Sequence, residues 1–169
     1  MKETPKQYTK RMLGNVGDKN PLAVQRATPA RLARLVRGLS RTQLRRRPAP
    51  GKWSINEIVA HLADTELVGG YRIRTILGKH RAPIQAFDQD VWAARGRYNR
   101  VDVRRALERF RVLREANLAL IRSLSPRRLQ QYGMHAERGK ETIAHIVRMF
   151  AGHDLNHLGQ VERIRRDLR

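Results

Sequence analysis

The stretch Trp53-Ser54-Ile55-Asn56-Glu57-Ile58-Val59-Ala60-His61-Leu62-Ala63-Asp64-Thr65-Glu66 opens a helix by its own chemistry. Ser54 followed three residues on by Glu57 is a capping box: hydroxyl and carboxylate can each take a backbone N–H that the first turn leaves unpaired. Trp53 before the cap and Ile58 four residues after it are placed for a hydrophobic staple. Ile55, Val59, Leu62, Gly69, Ile73 and Ile76 then recur at helical spacing, which predicts one long helix to about Gly78. No stretch of the chain alternates with a strand period over a useful length.

The same periodicity sets the rest. Thr28-Pro29 is spaced as an N-cap followed by proline at the first helical position, with Leu32, Leu35, Val36 and Leu39 on one face. Pro48-Ala49-Pro50-Gly51 breaks the chain. A third helix runs from about Val101, with Val103, Leu107, Phe110, Leu113, Leu120 and Leu124 on one side, and a last helix from about Thr142 to Leu168. Residues 79–100 hold Pro83, Asp88, Asp90, Trp92, Gly96 and Tyr98 without a sustained period. A connection that long in a compact domain crosses over the bundle or serves function. The expectation is an all-α four-helix bundle with a long connection between the second and third helices. Residues 1–20 form a charged N-terminal segment and 21–169 a single domain. Leu39–Leu44 and Leu124–Leu129 resemble each other faintly, as duplicated hairpins would and as chance likeness would too.

The chain has 169 residues, a net charge of +21 and no cysteine. The length suits one domain with a real core. No apolar run approaches the ~20 residues of a membrane span, and the N-terminus lacks a signal-like apolar region, so a cytoplasmic protein without membrane association is expected. Without cysteine there are no disulfides and no thiolate ligands or nucleophiles. The excess charge is mostly arginine, dispersed from Arg11 to Arg169, and no base-reading motif accompanies it. Non-specific, salt-sensitive attraction to nucleic acid is expected, and no specific nucleic-acid partner.

His153 and His157 stand one turn apart on the last helix, in line with Ile146 and Met149 before them and Gln160 and Ile164 after. They replace apolar residues on the face that should meet the core. His61 does the same on the second helix, between Ile58 and Thr65. Buried imidazoles without partners are costly, and a shared metal ion removes that cost; an isolated pair at this spacing more often caps a carbonyl or reaches solvent. His145 should point beside such a site, and His80 and His135 into solvent. Glu57, Asp64 and Asp154 are placed to fix imidazole tautomers or, more commonly, to pair with arginines.

The 53–66 stretch resembles the second-helix motif of the DinB-like metal-binding superfamily, and Gly152-His153-Asp154-Leu155-Asn156-His157-Leu158-Gly159-Gln160-Val161 resembles its fourth-helix motif. Tyr71-Arg72-Ile73-Arg74 and Phe87-Asp88-Gln89-Asp90-Val91-Trp92 are similar to further stretches of that group. The resemblance spans about residues 20–165. It implies a four-helix bundle whose ion is held by His61, His153 and His157 at one mouth.

Three nitrogen ligands leave open positions on one divalent ion (zinc, nickel, iron or manganese), the arrangement of catalytic sites. The first expectation is therefore a metal-dependent enzyme acting on a small-molecule substrate, either a hydrolase or an S-transferase using a low-molecular-weight thiol. The alternatives are a non-catalytic metal-binding stress-response module and a basic nucleic-acid-associated protein with a structural metal. Trp92 and Tyr98 are placed to wall the pocket, Arg72 or Arg74 to receive an anionic group, and the family resemblance adds a homodimer.

Overall fold

The computed structural model describes residues 3–168. Its helices are α1 (Pro5–Val16), α2 (Pro21–Val36), α3 (Arg41–Arg45), α4 (Ile55–Gly78), α5 (Gln89–Arg95), α6 (Val103–Arg122), α7 (Pro126–Leu129) and α8 (Ile143–Arg166), with a 3-10 turn at Tyr98–Arg100. The bundle is α2, α4, α6 and α8. α4 packs on α6 and α8, and α2 on α8 and α6. Among the described residues no helix is long and apolar enough to cross a membrane.

The capping box that opens α4 forms as its sequence requires. Ser54 Oγ accepts from the Glu57 amide at 3.3 Å, and Glu57 Oε2 accepts from the Ser54 amide at 2.8 Å. α6 and α8 likewise start at Asp102 and Thr142, whose side chains accept from amides of the first turn. Two apolar clusters fill the bundle. One gathers Leu32, Ile55, Val59, Phe110, Leu158 and Val161, the other Ile73, Ile76, Ile121, Ile143 and Ile146.

The structure corrects the sequence-based expectation in three places. α2 begins at Pro21, not Pro29: Asn20 Oδ1 accepts from the Leu22 and Ala23 amides at 2.9 and 3.1 Å. Pro29 lies inside that helix and has no N–H for the Gln25 carbonyl one turn back. That carbonyl instead accepts from Arg114 Nη1 at 2.7 Å, so the break in one helix becomes a tie to another. Second, a small sheet with strand order β1-β2-β3 flanks the bundle: β1 (Ala82–Ile84), β2 (Tyr132–His135) and β3 (Gly139–Thr142). β1 runs parallel to β2 with Pro83 opposite Met134, and β3 antiparallel with Lys140 opposite Met134. Strands of three or four residues are too short to write a period.

Third, residues 5–16 within the N-terminal segment form α1, capped by Thr4 and Gln7 in a reciprocal box. Met12 and Val16 are fully buried against α8. The two helices touch at Gly152, where an added Cβ would lie 1.8 Å from the Met12 carbonyl oxygen. Gly152→Ala must therefore push α1 off α8, and we expect a loss of about 1–3 kcal/mol, the usual cost of overpacking. Limited proteolysis should cut α1 faster in the variant, together with a lower urea midpoint; unchanged protection of α1 would contradict the contact.

Candidate metal centre

His61 on α4 faces His153 and His157 on α8, all three buried. His153 Nε2 lies 3.0 Å from His61 Nε2 and 3.0 Å from His157 Nε2. One ligand atom from each residue falls within 4.8 Å of the others. Nitrogens about 3 Å apart have the spacing of ligands on one ion with bonds of ~2.0–2.1 Å.

Burial, then the neighbouring imidazoles, holds His61 and His153 well below the ordinary histidine pKa. Burial takes His157 down to about 4. All three rings are thus neutral near pH 7. Gln160 Oε1 lies 2.7 Å from His157 Nδ1, which places that ring's proton on Nδ1 and its lone pair on Nε2, toward His153. His153 Nδ1 is buried with no hydrogen-bond partner. His153 Nε2 can donate to only one of the two nitrogens it faces, and Thr65 Oγ1, 3.3 Å from His61 Nε2, is the other partner within reach of the His61 ring. A donor set of three converging neutral imidazole nitrogens fits a divalent ion. Trp53 stacks near-parallel to His157, with centroids 6.3 Å apart and planes at 9°, and lies 4.8 Å from the His61 ring.

Two cavities open on the cluster. One, of about 410 Å³, is lined by His61, His153, Thr65, Arg72, Phe87 and His135 among others. The other, of about 490 Å³, is lined by His153, His157, Trp53, Lys52 and Gln160 among others. Tyr8 of α1 and Gln89 of α5 line both. The long α4–α6 connection thus reaches the site, through Phe87, Asp88 and Gln89 in the first cavity and Gln89 and Asp90 in the second, and not through Trp92 and Tyr98, which were expected to wall the pocket. Trp92 is half-exposed and packs on Phe87 at 4.7 Å. Tyr98 is buried and its hydroxyl donates a hydrogen bond to Asp64.

The other candidates separate cleanly. Arg72 lines the first cavity, whereas Arg74 turns to Asn117 Oδ1 and the Gly70 carbonyl at 2.8 and 3.0 Å. None of the three acids placed as tautomer-fixing partners reaches an imidazole. Glu57 pairs with Arg47, Asp64 with Tyr98 and Arg109, and Asp154 with Arg114. The residue that does so for His157 is Gln160. His145 is half-buried outside the cluster, and His80 is exposed, edge-on to Tyr132. His135, expected in solvent, is buried at 3 % exposure on β2, because the unforeseen sheet folds it over the first cavity. Tyr8 had no signal of its own, since its role depends on α1 docking.

The model of the DinB superfamily matches residues 26–161. A protein of Oceanobacillus iheyensis named "Putative metal-dependent hydrolase OB0782" is 26% identical over 133 residues, 79% of this chain and 77% of its own. YfiT of Bacillus subtilis, which carries the same functional name, is 22% identical over 147 residues, 86% of this chain and 82% of its own. The solved structure of YfiT, described as having an unusual four-helix bundle topology, superimposes with a TM-score of 0.83 at 20% identity, over 98% of this chain and 89% of that one. The fold is therefore shared with a protein described as a probable metal-dependent hydrolase. With the family match running from within α2 to near the end of α8, the chain belongs to the DinB superfamily.

Proposed function

We propose that this protein is a metal-dependent hydrolase of small molecules, with one first-row divalent ion held by His61, His153 and His157. The observation that carries the proposal is the convergence of three buried neutral imidazoles at a point reached by two cavities. The hydrolase names of the relatives support it. Three imidazoles suit zinc, nickel, iron or manganese. A bound ion supplies Lewis acidity, making water or a thiol a nucleophile near neutral pH and polarising a carbonyl.

The chain's own residues prepare that chemistry. Gln160 holds the His157 proton on Nδ1 and so keeps its Nε2 lone pair available. Trp53 packs against the His61 and His157 rings and shields them from water. Thr65 Oγ1, 3.3 Å from His61 Nε2, lines the first cavity and is placed to orient the His61 ring. The opening of two cavities on one cluster also favours a second activity at the same centre. A low-molecular-weight thiol in one cavity could attack an electrophile in the other, since a protein without cysteine must receive its sulfur from a cosubstrate.

A panel of esters and amides, and in parallel small thiols with electrophiles, tests both readings. We expect turnover in one arm that stops on chelation and returns with the metal. Absence of metal-dependent turnover across both arms would leave a non-catalytic metal-binding module.

We further propose a homodimer. Leu67 and Tyr71 stand one turn apart on α4, 56% and 71% exposed, and Val112 on α6 is 48% exposed; apolar side chains this open suit a helix-face contact. Light scattering should give twice the 19.6 kDa chain mass, and a particle of single-chain mass at micromolar concentration would exclude the dimer. Nucleic acid is not a proposed partner. The +21 charge should give only weak binding that falls steeply with salt and ignores sequence.

A further inference from the structure

Among the described residues two large cations, Arg72 and Arg114, are buried, and they are treated differently. Arg114 meets two carboxylates. Arg72, 7 % exposed on α4, forms no ion pair among the described residues. Its Nη2 donates to the Gln85 carbonyl at 2.7 Å. No hydrogen bond from its Nε or Nη1 is found among the described residues, and the side chain lines the first cavity. Glu141, which lines the same cavity, is engaged by Arg138 through two hydrogen bonds of 2.6 and 3.1 Å. Glu141 acts on Arg72 through charge at longer range, but no carboxylate among the described residues contacts the guanidinium. A buried guanidinium that is only partly compensated is costly unless an anion comes against it.

The second observation is at His135 on β2. The Glu137 amide donates to its Nδ1 at 3.1 Å, while Arg72 Nη2 lies 3.5 Å from its Nε2. Both neighbours are donors, and a neutral imidazole has one acceptor nitrogen. The shorter and better-formed contact fixes the lone pair on Nδ1, which puts the proton on Nε2. Burial, with Arg138 nearby, pushes His135 down to about 4, so the ring is neutral near pH 7. Nε2–H of His135 and N–H of Arg72 are then two donors facing each other. They cannot bond to one another, and an oxygen placed against both satisfies both.

We propose that Arg72 and His135 form a subsite for an oxyanion, a carboxylate or phosphate group, carried by the substrate. The subsite shares its cavity with His61 and His153, so a substrate anchored there presents its reacting carbonyl or electrophilic carbon toward the imidazole cluster. Phe87, whose ring centroid is 5.8 Å from the Arg72 guanidinium, forms an apolar wall beside it. The substrate class is therefore an anionic ester, amide or electrophile. That last step rests on the metal reading above, whereas the oxyanion site itself does not.

The test is calorimetric titration with inorganic phosphate and, separately, with acetate, at about physiological ionic strength to screen the general positive charge. Wild-type protein, chelated and metal-loaded, is compared with Arg72→Met, His135→Phe and the exposed control Arg127→Met. We expect one anion per chain in the wild type, retained after chelation, with the tighter of the two ligands naming the group. Arg72→Met should weaken binding at least about tenfold, as loss of a charge-assisted pair does, and His135→Phe several-fold. Arg127→Met should bind like the wild type.

No binding to the wild type, or equal weakening by Arg72→Met and Arg127→Met, overturns the subsite. If Arg72→Met fails to fold by circular dichroism, His135→Phe decides: binding unchanged from wild type overturns the subsite, and weakened binding supports it. Metal content measured on the same samples separates the two proposals. Arg72-dependent anion binding in a protein that never takes up metal keeps the subsite and removes the metal reading. Metal uptake without Arg72-dependent anion binding does the reverse.

Discussion

Arg114→Ala is expected to cost about 3–5 kcal/mol of folding stability, the range for breaking a buried pair from one side. Arg114 on α6 is almost fully buried. It pairs with Glu66 of α4, donates to both carboxylate oxygens of Asp154 of α8 at 2.6 and 3.0 Å, and bonds the Gln25 carbonyl of α2 at 2.7 Å. One side chain thereby joins all four bundle helices. On α4, Glu66 falls between Ala63 and Ile73, and on α8, Asp154 falls between Val147 and Leu158, so the network separates the two apolar clusters.

Two carboxylates share one cation there, and burial outweighs Arg114 in raising the Glu66 pKa. A carboxylate raised in the folded state binds its proton more tightly folded than unfolded. Its protonation therefore stabilises the fold as pH falls from the raised value toward the ordinary one. Removing Arg114 raises Glu66 further, so the penalty should be smaller at about pH 5 than at about pH 8. Urea unfolding at both pH values measures it. A penalty under about 1 kcal/mol, or one that grows in acid, would contradict this account. Arg114→Met combined with Glu66→Gln should recover part of the loss, since paired removal of buried charge is far cheaper than removing one partner.

The second large effect is on turnover. His153 Nε2 is the nitrogen that faces both others, so His153→Ala removes the centre of the ligand set. Loss of a Lewis acid that supplies several kcal/mol of transition-state stabilisation should lower the rate on the order of 10³-fold. Chelation of the wild type should do the same, and added metal should restore the wild type but not the variant. Circular dichroism should show the helices intact, because the helices' own apolar clusters remain. Full turnover in a metal-depleted His153→Ala protein would remove the metal from the mechanism.

How much of this was legible follows from how far each signal reaches along the chain. α4, α6 and α8 each write several turns of apolar period and a capping residue at the start, and their ends fall within two residues of expectation. His61, His153 and His157 stood out because each interrupts a stripe that otherwise faces the core, and the structure brings all three together. α1 did not stand out, because its capping pair sits in a charged stretch and its docking depends on a glycine 140 residues later, Gly152 against Met12. Pro29 looked like a helix start because a proline inside a helix is costly unless another group takes the orphaned carbonyl, and that group, Arg114, is distant in sequence. His135 was placed in solvent for the same kind of reason. Its burial depends on β2 lying between β1 and β3, and none of those strands is long enough to announce itself.

Metal analysis of protein purified without a histidine tag or a nickel column tests the central claim most directly. About one first-row divalent ion per chain is expected in the wild type, as three converging imidazoles imply. His61→Ala and His157→Ala should each lose most of it, while His80→Ala, altered at an exposed histidine outside the cluster, should keep it. Equal metal content in all three variants, or none in the wild type under metal-replete conditions, would contradict the assignment of His61, His153 and His157.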